Sequence, residues 1–332
     1  MYSDEDLNTA IKEGIFQADS VSRFRQHMAN LKQTAHVDEE NFRLITGFND
    51  VFVVVASVLL LVSSAWLTSF VSEFAATVVF AGLAWLLAEF FVRQRRMALP
   101  AIVLLIAFLG GVAAAPISLY QQPHVSAFIA SGLLTAIAAW AHWMRFQVPI
   151  TIAAVTAAIF ACIFGALFAV YALSSALLLP LMFIAGLITF VMAVYWDSTD
   201  KARVTRRSDT AFWLHLLSAP LLVHPVFTSL GITQGSGDLA SAGIVLALYV
   251  LLAIVSIAVD RRSIMVSALI YVIYAFSGAL EQFGMVNYSF AVTGLCIGAT
   301  LLLLSAFWQP SRAWVIKRMP SPVQHILPIA HS

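Results

Sequence analysis

Few side chains in this 332-residue chain could do chemistry, and their apolar setting singles them out. Glu89 lies inside a long apolar run, four residues before Arg93. A charge at the bilayer centre costs at least ~2.5–3.5 kcal/mol on insertion scales, which makes Glu89 a candidate proton-coupling group. The same Glu-to-Arg spacing is also ordinary helix stabilisation. The segment from Trp213 to Pro225 is the least regular apolar stretch and holds His215, Ser218, Pro220, His224 and Pro225. Its two prolines remove backbone donors and are expected to kink a helix, freeing carbonyls. An interrupted helix near the midplane is the best sequence pointer to a transporter's binding site, so His215, Ser218 and His224 are the candidate substrate-binding residues. The competing reading is that Ser218 and neighbouring helices satisfy the freed groups with no ligand. His215 and His224, nine residues apart, fall on opposite sides of one helix and cannot close on one ligand from it. His142 sits between Trp140 and Trp143 beside Arg145, as an interfacial aromatic belt would place it. Haem ligation by His142 and His215 is the alternative, but span histidines are commonly just hydrogen-bonded, and no cofactor or metal is expected.

The elements that must position these groups follow from composition. The chain is 61% apolar and 11% charged, with mean hydropathy +0.90. Ordinary globular domains are about 45–50% apolar and about 25% charged. A soluble domain, a disordered chain and a nucleic-acid binder are excluded, and Cys162 and Cys296, each alone in an apolar run, exclude a disulfide scaffold. None of Lys12, Lys32, Lys201 and Lys317 precedes Ser or Thr, so no Walker A loop is present. HExxH, GxSxG and a buried aspartate pair are also missing, and enzymatic activity is not expected.

The stretch from Phe146 to Trp196 has no Asp, Glu, Lys or Arg. As one helix it would run to about 76 Å, more than twice the roughly 30 Å hydrocarbon core, so it must turn back once. The pattern repeats: basic clusters at Arg93–Arg96, Arg145, Lys201–Arg207, Arg261-Arg262 and Arg312–Arg318 alternate with apolar blocks broken near their middles. The breaks are at Ser72-Glu73, Gln121–His124, Tyr171–Ser175, Gly231–Asp238 and Glu281-Gln282. The reading is all-α: a polytopic transmembrane helical bundle of about ten spans, at 51–71, 75–92, 98–119, 125–143, 148–171, 175–196, 210–230, 239–259, 263–281 and 287–308. All 18 basic residues fall before the first span, after the last, or in alternate loops, which predicts both termini in the cytoplasm. The first long apolar run starts only at Val51, so that span is expected to act as an uncleaved insertion signal.

Three regions result: 1–48, 49–308 and a basic tail, 309–332. In the first, Leu7, Ile11 and Ile15-Phe16 precede a stripe of Val21, Phe24, Met28 and Leu31, with Gly14 as a helix C-cap between them. This is an amphipathic helical hairpin too short to hold its own core. Small residues line the fifth span (Ala153, Ala157, Ala161, Gly165, Ala169), and Gly294 and Gly298 form a GxxxG in the tenth. Both permit close helix approach, within the bundle in the favoured reading or between protomers in the other.

The opening Leu7…Gly14-Ile15-Phe16, with the segments Gly47–Phe52 and Ala88–Arg93, resembles bacterial membrane proteins of a predicted family of unknown function. The resemblance is specific over the first 110 residues. It implies a multi-span bundle in a bacterial inner membrane and transfers no active residues. Two functions remain expected: a secondary transporter or permease for a neutral or lipophilic solute, or a non-catalytic scaffold docking a protein partner through residues 1–48. The scarcity of buried charge argues against an ionic substrate. The lipid bilayer is the one partner common to both readings, and nucleic acid is not a partner.

Overall fold

A computed structural model describes residues 4–31, 48–120, 125–171, 175–200, 205–229, 239–282, 288–321, 324 and 327. The sequence-read breaks at 121–124 and 231–238, and the start of the 201–207 cluster, lie outside these. The chain divides into two units, residues 1–42 and 43–332.

The first unit contains α1 (Asp4–Lys12) and α2 (Ala18–Leu31). Gly14 closes α1 with φ of 72°, and the Phe16 amide bonds back to the Ala10 carbonyl, so a left-handed glycine ends the helix. Arg25 of α2 donates to the Asn8 side chain of α1 at 3.1 Å.

The second unit is all helix among its described residues. Its elements are α3 (Phe48–Ser69), α4 (Glu73–Ala88) continued by a π-helical turn (Glu89–Gln94), α5 (Ala98–Ser118), α6 (Val125–Phe146) and α7 (Ile150–Tyr171). After a short 3₁₀ turn (Ser175–Leu177) come α8 (Leu178–Ser198), α9 (Arg206–Ser229), α10 (Leu239–Val259), α11 (Ser263–Gln282), α12 (Ser289–Ala306) and α13 (Trp308–Ile316). Among the described residues nine helices are long and apolar enough to cross a membrane, and the number is ten if the α12–α13 pair, bent by 70°, forms one broken span. The chain is therefore a polytopic helical membrane protein. Residues such as Trp66, Leu67, Leu295 and Leu302 are exposed on helix surfaces, as lipid contact requires.

Small residues set the packing. Ala84, Ala139, Ala193, Ala211, Ala219 and Ala268 are all fully enclosed, and alanine lets helix backbones approach closely. A Cβ added at Gly186 of α8 would come within 2.9 Å of the Leu221 and Leu222 backbone of α9, and one at Gly132 of α6 within 2.7 Å of Cys162 of α7. In the α7 stripe, Ala153 packs with Ala193 of α8 and Leu214 of α9. The α12 GxxxG differs: Cβ atoms at Gly294 and Gly298 would meet nothing within 4 Å.

Arg96, Gln147 and Asp260, all with φ between 51° and 63°, end the helices before α5, α7 and α11. These left-handed caps reverse the chain at the face carrying the basic clusters, hereafter the basic face. At α9 the helix begins at Arg206, earlier than the apolar pattern alone indicates, and it continues through Pro220 and Pro225. Half of its apolar window is buried, more than in any other described span.

Candidate functional site

A buried polar cluster lies where α8, α9 and the α10–α11 turn meet. Helical side chains tilt toward their helix N-terminus. Asp197, near the end of α8, therefore leans back into the bundle, whereas His215, in the third turn of α9, leans toward the basic face, and the two meet. His215 Nε2 and Asp197 Oδ2 are 3.0 Å apart, with neither side chain more than 2% exposed. Arg261 enters from the turn. Its Nη2 donates to Asp197 Oδ1 at 2.6 Å and its Nε to Oδ2 at 3.3 Å, a two-pronged grip matched to a carboxylate. The same Nη2 donates to the Ser208 carbonyl at 3.1 Å and hydroxyl at 3.2 Å. Phe190 packs edge-on to the His215 ring, and Phe212 lies under the guanidinium at 5.9 Å.

The turn holds a second set of contacts back to back with the first. Its left-handed Asp260 turns the carboxylate away from Arg261, where it accepts from Trp308 Nε1 at 2.7 Å and faces Arg312 Nε at 3.7 Å. Arg262 lies over the Trp308 ring at 5.0 Å. The Arg261 amide bonds to the Ser256 carbonyl, and the Ser256 hydroxyl donates to the Arg261 carbonyl, which fixes the turn. Two consecutive residues thus bind α8 and α9 on one side and α13 on the other.

The sequence-read residues do not converge. His215 belongs to the cluster above. Ser218 is fully buried and donates to the His215 carbonyl at 3.0 Å. His224 pairs through Nδ1 with the Tyr271 hydroxyl of α11 at 2.6 Å, with Thr228 Oγ1 at 3.5 Å. Glu89 lies in the π-helical turn and accepts from Arg145 Nε at 2.7 Å and Nη2 at 3.1 Å, and from Arg93 at 3.3 Å. It thereby joins α4 to α6 and is about one-quarter exposed. The spacing of Glu89 and Arg93 was legible; the larger contact with Arg145 was not. His142 is enclosed by Trp85, Phe108 and Phe146, with Thr151 Oγ1 at 3.4 Å from Nδ1. No three His, Cys, Asp or Glu side chains among the described residues are grouped to hold a metal.

Sequence reasoning missed Asp197 and treated Arg261 as a marker of sidedness. The signal that could have found them is Asp197 placed directly after Trp196 with no break in the helical run, which keeps a carboxylate inside the last turn of a span.

An apolar cleft of about 340 Å³ opens between α10 and α11, lined by Ala242, Gly243, Val245, Val272, Ala275 and Ala279 among others. Val245, Val272 and Ala275 form one core cluster with Val223 and Phe227, which flank His224 and Pro225 on α9.

No family model, no curated protein and no solved structure matches the chain.

Proposed function

We propose that this protein is a secondary transporter or permease for a neutral or lipophilic solute in a bacterial plasma membrane, with both termini in the cytoplasm. The observation that carries the reading is the apolar cleft between α10 and α11, whose walls pack on the proline-bearing part of α9. Ligand sites in helical membrane proteins lie between helices, and a lining without charge suits an uncharged occupant. The His224–Tyr271 pair adjoins this region and supplies polar atoms beside an otherwise apolar space. The basic clusters, all at one face by the sequence pattern, support the cytoplasmic placement of the ends.

The test fills the cleft. A Cβ at Gly243 meets nothing within 4 Å, so Gly243→Phe projects into open space without a backbone clash. The purified protein in nanodiscs is expected to bind the neutral fluorophore N-phenyl-1-naphthylamine saturably, and Gly243→Phe to lose that binding at unchanged melting temperature. Identical uptake by both proteins removes the reading. Labelling of Arg207→Cys, in a background without Cys162 and Cys296, is expected from the cytoplasmic side alone.

One observation favours a second reading, a scaffold that docks a protein partner: Ile15, Phe16 and Phe24 of the first unit are all about half exposed or more. Loss of the cellular phenotype on deleting residues 1–48, with Gly243→Phe silent, selects it.

A further inference from the structure

We propose that the cleft between α10 and α11 holds one hydrocarbon chain of a bilayer phospholipid, taken sideways from the leaflet opposite the basic face. That such a chain belongs to the transported solute rests on the transport reading above; its seating in the cleft stands on the geometry of the two helices.

The first argument is where the cleft opens. Leu246 and Phe276 line it and are 55% and 37% exposed, whereas Val245, Val272 and Ala275 line it and are at most 9% exposed. The first two form a rim and the last three a floor. Val250, one turn along α10 from Leu246, is also exposed and carries the rim into the apolar surface that meets the bilayer. The cleft is thus an inward extension of the lipid contact, and every side chain lining it is apolar or a glycine hydrogen.

The second argument is size and depth. Ala242, Gly243, Ala275 and Ala279 supply much of the lining. Small residues ordinarily let helices close on each other, and a Cβ at Gly186 or Gly132 would indeed meet a neighbouring helix. At Gly243 it would meet nothing within 4 Å, so here small residues make room instead of a contact. Walls around 340 Å³ of apolar space forfeit dispersion contacts that a hydrocarbon chain restores. On α11 the lining runs from Val272 to Leu280, about 12 Å at the rise of a helix, against roughly 15 Å for one leaflet's half of the hydrocarbon core. Val272 lies midway along α11 and Leu280 near the end away from the basic face. On α10 the lining, Ala242 to Leu246, falls near the start of the helix, at that same end. A phospholipid chain of that leaflet fits with its first carbons beside Leu280 and its methyl end at Val272. At this inner end the Tyr271 hydroxyl is taken by His224 at 2.6 Å, which suits a methyl terminus.

Photo-crosslinking of the full-length protein tests this in nanodiscs of phosphatidylcholine that carries a diazirine either near the carbonyl or near the methyl end of one chain. The methyl-end probe is expected to label Val272 and the carbonyl-end probe Ala279, both enclosed, while both probes label exposed residues such as Leu302. Gly243→Phe is expected to lose the labels at Val272 and Ala279 and to keep that at Leu302. The order of the two wild-type labels is a readout that needs no variant. An unlabelled floor beside a labelled Leu302, the reverse order, or floor labels that survive in Gly243→Phe overturn the proposal. So does a second copy seated on the cleft, seen as a disulfide between two Leu246→Cys chains, in a background without Cys162 and Cys296, with the floor unlabelled. Floor labels in the expected order without saturable naphthylamine uptake sink the transport reading and leave the chain in place; saturable uptake with an unlabelled floor does the reverse.

Discussion

Asp197 and Glu89 are held in nearly the same way and answer to different physics. Each is a carboxylate near the basic-face end of a span, gripped at both oxygens by an arginine from another element: Arg261 at 2.6 and 3.3 Å, Arg145 at 2.7 and 3.1 Å. The Asp197 pair is 2% exposed on both sides, whereas Glu89 and Arg145 are 26% and 43% exposed. Water screens the second pair and can replace either partner, so its geometry says little about its energy. Asp197 and Arg261 are buried away from such screening, and the group stands or falls as a unit. Of two similar forks, burial decides which one the fold depends on.

The comparison can be broken most directly at Asp197. Asp197→Ala strands Arg261 as a buried, unpaired cation and is expected to cost about 3–5 kcal/mol, seen as loss of folded protein or a large drop in the melting midpoint in detergent. Trp308→Phe is the next largest. It removes the indole donor from buried Asp260 while keeping most of the ring, and about 1.5–3 kcal/mol is expected from the lost charge-assisted bond. Gly186→Val follows, at about 1–3 kcal/mol, because its Cβ meets α9 backbone that cannot swing aside. Gly82→Val in α4, where a Cβ meets nothing within 4 Å, is its matched control and is expected to leave the midpoint in place. Smallest is Arg145→Gln, expected to leave the melting midpoint indistinguishable from wild type. A drop comparable to that of Asp197→Ala would erase the distinction drawn between the two forks.

The span pattern was legible because the bilayer imposes it: a charge-free run longer than the membrane must double back, and basic residues mark where it returns. The elements at Phe48–Ser69 through Ser263–Gln282 follow from that alone. The end of the last span was less legible, since the 70° bend at Phe307 depends on Trp308 and Arg312 meeting Asp260, partners 48 and 52 positions earlier. The site was legible only in fragments. His215 and Ser218 were visible as polar residues in an apolar helix, yet nothing in their spacing shows that Asp197 and Arg261 arrive from two other elements. Asp197 resembles a boundary residue because it follows Trp196 and precedes a polar stretch. Only the backward tilt of a helical side chain carries it inward, and that matters only because Gly186 lets α9 come close enough to present His215.

The left-handed residues at Arg96, Gln147 and Asp260 give the bundle a way of being tuned. An L-residue in that conformation carries roughly 1–2 kcal/mol of strain that glycine does not. At Gln147 a change to glycine relaxes the backbone and removes no described side-chain contact, so the turn can be loosened or tightened at no cost to its neighbours. At Asp260 the same change would relieve the backbone but delete the acceptor of Trp308, and relief and loss arrive together. One bend geometry thus serves as an adjustable spacer in one hairpin and as a pivot that cannot be edited in another, and this marks where the chain can drift and where it must stand still.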